Sequence, residues 1–471
     1  MNTIASAPDG VMHSDRSFLG HPKGLGFLAF TEAWERFSYY GMQALLVLYM
    51  KSQLLLPGHI EHVIGFGPFR TVLERINGAG VLSVLELSSV VFGAYTFGVY
   101  AMPILGGLLA DRFLGLTRTV TLGALLMAAG HFLMAFDATF LIALACLVVG
   151  VGCFKGNLAG QVGNLYGPED LRRADAFQIY YLAINAGVIA APLIVGTLGE
   201  KYAWHYGFEA AGVGMLISLL VYGAGRSSLP PDPRRRRAVR VARPKLTRDE
   251  RIAVVVLLVL LPVLAVGAVG NQQIFNSYLV WAPDNVDLTF FGRTMPTTWL
   301  ITVDSIVSVS ALAAAMVFWR LWARRFREPS EGAKIALGMF ISAIAMLCPA
   351  IASHIAAGGH KAQVGWVLAF HTLNSIGFSN VFPVGLALYA RAAPKAIVGT
   401  IIGFYYLHLA TANFLVGKLG TLLDKLPGTQ FWLLHAGLVG GAGAIFLVTK
   451  FIFARQLAPT AAPDAVAAAA S

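Results

Sequence analysis

Apolar runs of about twenty residues or more recur twelve times along this chain and limit it to one kind of solvent. At ~1.5 Å per residue in a helix, each run is long enough to cross a ~30 Å hydrocarbon core. Backbone groups in lipid must be bonded internally, which leaves helices or closed barrels, and uninterrupted apolar runs select helices. Composition agrees: 57% hydrophobic residues, 13% charged residues and a mean hydropathy of +0.68 are too apolar for a soluble globular protein of 471 residues. The chain reads as an all-α polytopic membrane protein.

The runs fall at about 25–50, 79–106, 117–136, 139–163, 172–198 and 206–225, then 252–281, 297–322, 332–353, 365–390, 396–423 and 429–453. This predicts a short N-terminal segment (1–24), a six-helix bundle (25–225), a basic linker (226–251), a second six-helix bundle (252–455) and a low-complexity tail (456–471) expected to be disordered. The linker carries Arg234, Arg235, Arg236 and Arg237 with six further basic residues. With a net charge of +11, nucleic-acid binding is one reading of this run. Membrane topology explains it better, because Lys and Arg accumulate in cytoplasmic loops. Arg112, Arg118, Arg172, Arg173, Arg324, Arg325, Arg327, Arg391 and Lys395 fall on the linker's side, against Lys201, Arg293 and Lys361 opposite. Both termini are therefore expected in the cytoplasm, with the linker touching anionic lipid. The first 24 residues lack the pattern of a removable signal, and the compact loops suggest a bacterial inner membrane.

Several chemistries lack their residues. Cys146, Cys153 and Cys348 all lie within apolar runs, and the first two are too far apart along one helix for a disulfide. The histidines show no ligand spacing, so no metal is expected. Gly150-Val151-Gly152-Cys153-Phe154-Lys155-Gly156 has the look of a phosphate loop but follows no strand, and its small residues suit close helix packing. No hydrolase arrangement stands out, and neither enzyme activity nor a cofactor is expected.

The informative residues are the charged ones inside the apolar runs. Glu32, Glu35 and Arg36 sit in the first run, and each would cost roughly 2.5–3.5 kcal/mol at a bilayer centre if it faced lipid. At ~100° per residue, Glu32, Glu35, Arg36, Tyr39 and Gln43 share an arc of roughly 100°, with Tyr40 just beyond it. Such a stripe lines a transport pathway. Lys155 lies deep in the fourth run, read either as a helix-joining ion pair or as an anion-binding or gating cation. In the fifth run Gln178, Tyr181 and Asn185 share a face, Asn185 either joining helices or contacting a ligand. Asp304 is the acid inside the second half, and Glu86 near the end of the second run is left unassigned.

The stripe Glu32-x-x-Glu35-Arg36-Phe37-x-Tyr39-Tyr40-Gly41 resembles the E-x-x-E-R-F-x-Y-Y-G signature of the proton-dependent oligopeptide transporters. Gly106 to Gly115, Phe154-Lys155-Gly156-Asn157 and Ile184-Asn185-x-Gly187 are similar to further family segments. Pro383-Val384-Gly385-Leu386 and Ala393-Pro394 echo its tenth helix and following loop. The resemblance is denser before residue 225 than after 251. It implies the major facilitator fold, with two six-helix bundles and alternating access. The linker is too short for the two extra helices that many bacterial members carry.

The same resemblance exposes departures. Gln43 stands where the family usually has Arg, and Gln272 where it has Glu. Asp304 replaces an Asn, and Phe378 falls on the Glu that anchors the peptide amino group. The substrate set implied is Tyr39, Tyr40, Gln43, Lys155, Asn185, Gln272, Asp304 and Phe378, with Glu32, Glu35 and Arg36 coupling transport to a proton. Asp304 is expected to replace the charge missing at Phe378, leaving Lys155 as the main cation for the peptide carboxylate. The rival reading has a substrate without a free amino group. The function implied is proton-driven import of di- and tripeptides by a monomer, with the proton as coupling ion and membrane lipid and small peptides as partners. An organic anion, nitrate or a modified amino acid is the alternative cargo, and a non-transporting sensor the alternative class. A proton falling through 100 mV and one pH unit supplies about 3.7 kcal/mol, enough to concentrate a neutral substrate roughly 500-fold.

Overall fold

The computed structural model describes residues 15–78, 80–167, 170–232, 246–290, 292–394 and 396–457. The arginine run at 234–237, Lys395 and residues 458–471 of the tail lie outside the described residues. Twelve long helices carry the fold. We number them α1 (Lys23–Tyr49), α2 (Val84–Leu114), α3 (Leu116–Leu133), α4 (Asp137–Asn164), α5 (Arg172–Lys201) and α6 (Trp204–Ser228). The second set is α7 (Arg248–Phe275), α8 (Trp299–Ala323), α9 (Glu331–Ala357), α10 (Gly365–Ala392), α11 (Val398–Gly420) and α12 (Gly428–Ile452). Among the described residues, ten of these are long and apolar enough to cross a membrane by length and composition. The other two, α1 and α10, are as long, but α1 carries the charged stripe and α10 buries His371, Asn374, Ser375 and Asn380.

Local chemistry sets the helix starts. Glu86, unassigned from sequence, closes a capping box at the head of α2: the Ser83 backbone N–H donates to its carboxylate at 2.7 Å, and the Glu86 N–H donates to the Ser83 hydroxyl at 3.2 Å. The helix therefore begins after Ser83 rather than at residue 79. Thr247 and Glu250 do the same for α7. A shorter amphipathic helix, Phe66–Asn77, and a two-residue hairpin pairing Thr289–Phe290 with Arg293–Thr294 lie between the long helices. Neither has an apolar run to announce it.

The chain divides into two compact units, Met1–Ala238 with Leu288–Ser305, and Val239–Asp287 with Ile306–Ser471. The sequence reading put 288–305 with the second bundle. Side chains account for the difference. In the first unit the Glu200 carboxylate, near the end of α5, accepts from the Thr297 and Thr298 backbone N–H groups, each at 2.8 Å, and from the Thr298 hydroxyl at 2.6 Å. Trp299 donates its indole N–H to the Thr197 hydroxyl at 2.8 Å, and Thr302 donates to the Ile189 carbonyl at 2.9 Å. An acid at a helix start satisfies donors that have no partner within the helix.

Within the first unit α1 packs against α5 and α6. The approach to α5 is close: a Cβ on Gly187 would stand 2.2 Å from the Ala33 carbonyl oxygen. In the second unit α9 packs against α10 and α12, and α7 against α11 and α12. Leu257, Leu260, Leu264, Met339, Tyr389 and Tyr405 are part of its buried core.

Candidate transport site

In the first unit the charged stripe of α1 is buried. Glu32, Glu35 and Arg36 are all nearly inaccessible, as are Tyr39 and Gln43. Both carboxylates converge on one nitrogen: Arg36 Nε lies 2.7 Å from Glu32 Oε1 and 2.9 Å from Glu35 Oε2. Only the Glu32 contact has hydrogen-bond geometry. Both oxygens of Glu35 and one of Glu32 are buried without a hydrogen-bond partner among the described residues. The i,i+4 spacing of Glu32 and Arg36 makes their contact a property of the helix itself.

Lys155, on α4, lies within electrostatic reach of Glu35, Glu32 and Arg36. Its ammonium sits 5.0 Å from the centre of the Tyr100 ring, a cation–π distance. The sequence reading left Lys155 open between a helix-joining ion pair and an anion-binding or gating cation, and the packing of α1 and α4 brings two acids within its electrostatic reach. Tyr39 and Tyr40 meet edge to face at 5.1 Å, with the Tyr39 hydroxyl and the Gln43 Oε1 buried and unbonded. Asn185 donates its amide to the Tyr181 carbonyl of its own helix at 2.8 Å. Asp304, on the first turns of α8, is buried and belongs to the first unit, two residues beyond the Thr302 contact with α5. Three tyrosines that no motif marked complete the setting. Tyr180 lies within electrostatic reach of Glu32 and Arg36, Tyr95 of Glu35, and Tyr100 of Tyr40 and Arg36. Aromatic residues are frequent in apolar runs, so nothing in the sequence sets these apart.

The second unit holds neutral groups. Gln272 accepts from the Asn413 amide at 3.2 Å, and Gln273 bonds His435 at 3.0 Å. The Tyr278 hydroxyl pairs with His371 at 3.1 Å. Phe378 stacks on Phe382 at 5.7 Å, and Phe382 in turn packs against Tyr405, Tyr406 and His408. This position is an aromatic wall. Both polar atoms of Asn374, one turn before Phe378, are buried without a hydrogen bond among the described residues. Among those residues no cluster of His, Cys, Asp or Glu could hold a metal ion.

The arrangement has relatives. A family model described as the POT family matches residues 117–242 and 235–433. An uncharacterized transporter of Bacillus subtilis, YclF, is 30% identical across 88% of this chain and 91% of that protein. The peptide transporter YePEPT of Yersinia enterocolitica is 27% identical across 91% and 93% of the two chains. A di-/tripeptide transporter of Lactococcus lactis is 27% identical across 93% and 97%. Among solved structures, a peptide transporter POT in complex with sulfate superposes with a TM-score of 0.81 at 26% identity, covering 96% of this chain and 99% of that one. The fold is thus the major facilitator type expected from the sequence. With buried charges on α1, two six-helix sets and a family match over most of its length, the chain belongs to the POT family of transporters.

Proposed function

We propose that this protein is a proton-coupled symporter that imports di- and tripeptides by alternating access. The observation that carries the reading is the convergence of Glu32 and Glu35 on Arg36 inside the first unit, with Lys155 within electrostatic reach of both acids. Two carboxylates on one guanidinium, inside a helix that crosses lipid, are stable only as a set. A proton on one of them removes a charge and loosens the set. Glu35 is the acid we assign to that proton, because its buried oxygens lack hydrogen bonds while Glu32 keeps one. Loading of substrate and proton together then biases the transporter towards its inward-open state by differential affinity. The peptide carboxylate is assigned to Lys155, with Tyr39, Tyr40, Gln43 and Asn185 beside it, and the peptide ammonium to Asp304. The relatives named as peptide and di-/tripeptide transporters support the substrate class. The location we assign is a bacterial inner membrane, with both termini cytoplasmic and a monomer as the working unit.

A second reading is favoured by one observation. Phe378 occupies an aromatic stack where the amino-group acid of the family would stand. A cargo without a free amino group fits that wall equally well. Uptake of a labelled dipeptide into proteoliposomes, with and without an imposed inward proton gradient, tests the first reading. Gradient-dependent accumulation is expected. Competition by the N-acetylated dipeptide as strong as that of the free one would favour the second, and no peptide uptake at all would overturn the first.

A further inference from the structure

One end of the second unit holds a cavity that the transport site does not use. Its volume is about 590 Å³, and its walls come from the turn after α8 (Arg327 to Ser330), the first residues of α9 (Glu331, Lys334), the end of α10 (Arg391) and the end of α12 (Lys450). Four cations face two acids there. Lys334 pairs with Glu328, and Arg391 donates to Glu331 at 2.7 Å, so each acid is already matched. Arg327 and Lys450 remain with no carboxylate in ion-pair range among the described residues, an excess of two positive charges. Ser330 stands at the N-cap of α9, yet its hydroxyl makes no capping bond. The first turn of α9 therefore lacks a side-chain cap, and Ser330 and Glu331 line the cavity. Two unmatched cations beside an uncapped helix N-terminus make a site for an anion of phosphate type.

The surroundings select where that phosphate comes from. Phe318, Leu321 and Phe326 at the end of α8, and Val448, Phe451 and Ile452 at the end of α12, are exposed beside the cavity. The Trp319 and Trp322 rings meet edge to face at 6.1 Å near the end of α8. The Lys334 ammonium lies 4.4 Å from the Trp319 ring, and Trp322 donates to the Arg327 carbonyl at 3.3 Å. Indoles beside exposed apolar side chains mark the membrane–water boundary. A free phosphate has no use for that apolar rim, whereas acyl chains do. We propose that this cavity binds the phosphate headgroup of an anionic glycerophospholipid, with Arg327 and Lys450 as the charges that select it and the rim of α8 and α12 receiving its acyl chains.

The test is native mass spectrometry of the full chain released from micelles containing phosphatidylglycerol or phosphatidylcholine. Wild-type protein should retain phosphatidylglycerol preferentially. The double variant Arg327→Gln/Lys450→Gln, which disturbs neither ion pair, should lose that preference by roughly thirtyfold, the scale of two basic residues at an anionic surface. Arg325→Gln, a neighbouring exposed arginine outside the cavity, should retain it. Thermal unfolding in phosphatidylcholine alone checks that the variants fold. Equal retention by wild type and double variant would overturn the proposal. So would protection against unfolding by inorganic phosphate that matches phosphatidylglycerol, since the site would then take soluble anions.

Discussion

The two units treat buried polarity in opposite ways. The first buries charge: Glu32, Glu35, Arg36 and Asp304 are almost wholly shielded, with Lys155 half-buried beside them. The second buries hydrogen-bonded pairs without a carboxylate, Lys or Arg: Gln272 with Asn413, Gln273 with His435 and Tyr278 with His371. Its one buried charge among the described residues, Lys334, lies at the peripheral cavity rather than among those pairs. The difference matches the two jobs of the proposed function. A group that must gain and lose a proton has to be an ion held by other ions, since its partners respond to the change in charge. A wall that only shapes and orients a substrate can do so with amides, hydroxyls and aromatic rings, at far lower cost in a low-dielectric interior. Asp304 joins the charged side of this division, since it belongs to the first unit with Glu32, Glu35, Arg36 and Lys155.

This contrast can be broken. The largest effect is expected from Glu35→Gln, which removes the acid assigned to the proton. Gradient-driven accumulation in proteoliposomes should fall from a ceiling of order several hundredfold to simple equilibration, while counterflow exchange persists. Loss of both activities would give Glu35 a binding or folding role. Arg36→Met leaves two buried acids without their cation and should cost about 3–5 kcal/mol of stability, read as a drop in the thermal unfolding midpoint. Adding Glu32→Gln and Glu35→Gln to it should restore much of that loss.

Sharper tests concern the substrate. Asp304→Asn should lower uptake of free-amino peptides by tenfold or more, the scale of a lost charge-assisted contact. Uptake unchanged at several pH values would remove Asp304 from the site. Combining Asp304→Asn with Phe378→Glu moves the acid into the second unit, and recovery of uptake would show that the ammonium needs a charge rather than a particular helix. The smallest effect belongs to the neutral wall. Asn413→Ala takes away one partner of Gln272 and should cost about 1 kcal/mol in stability with coupling untouched. A loss of proton dependence there would contradict the division between units.

Much of this was legible from residue order alone. The helices follow from apolar length, because lipid leaves the backbone no alternative. The Glu32–Arg36 contact follows from a spacing of four on a helix. The energetic anomaly of charges in an apolar run pointed to α1 as the working helix before any packing was known. Tertiary structure decided what lies between helices. Lys155 finds its acids only when α4 packs beside α1, and Tyr95, Tyr100 and Tyr180 become part of the site only by proximity. Glu200 gathers Thr297 and Thr298 across nearly a hundred residues and so carries 288–305, Asp304 included, into the first unit. The cavity at Arg327 and Lys450 joins residues more than a hundred positions apart. Periodicity and insertion cost act within a single helix and are written in its sequence. Which side chains meet across helices depends on packing, and that only the folded chain determines.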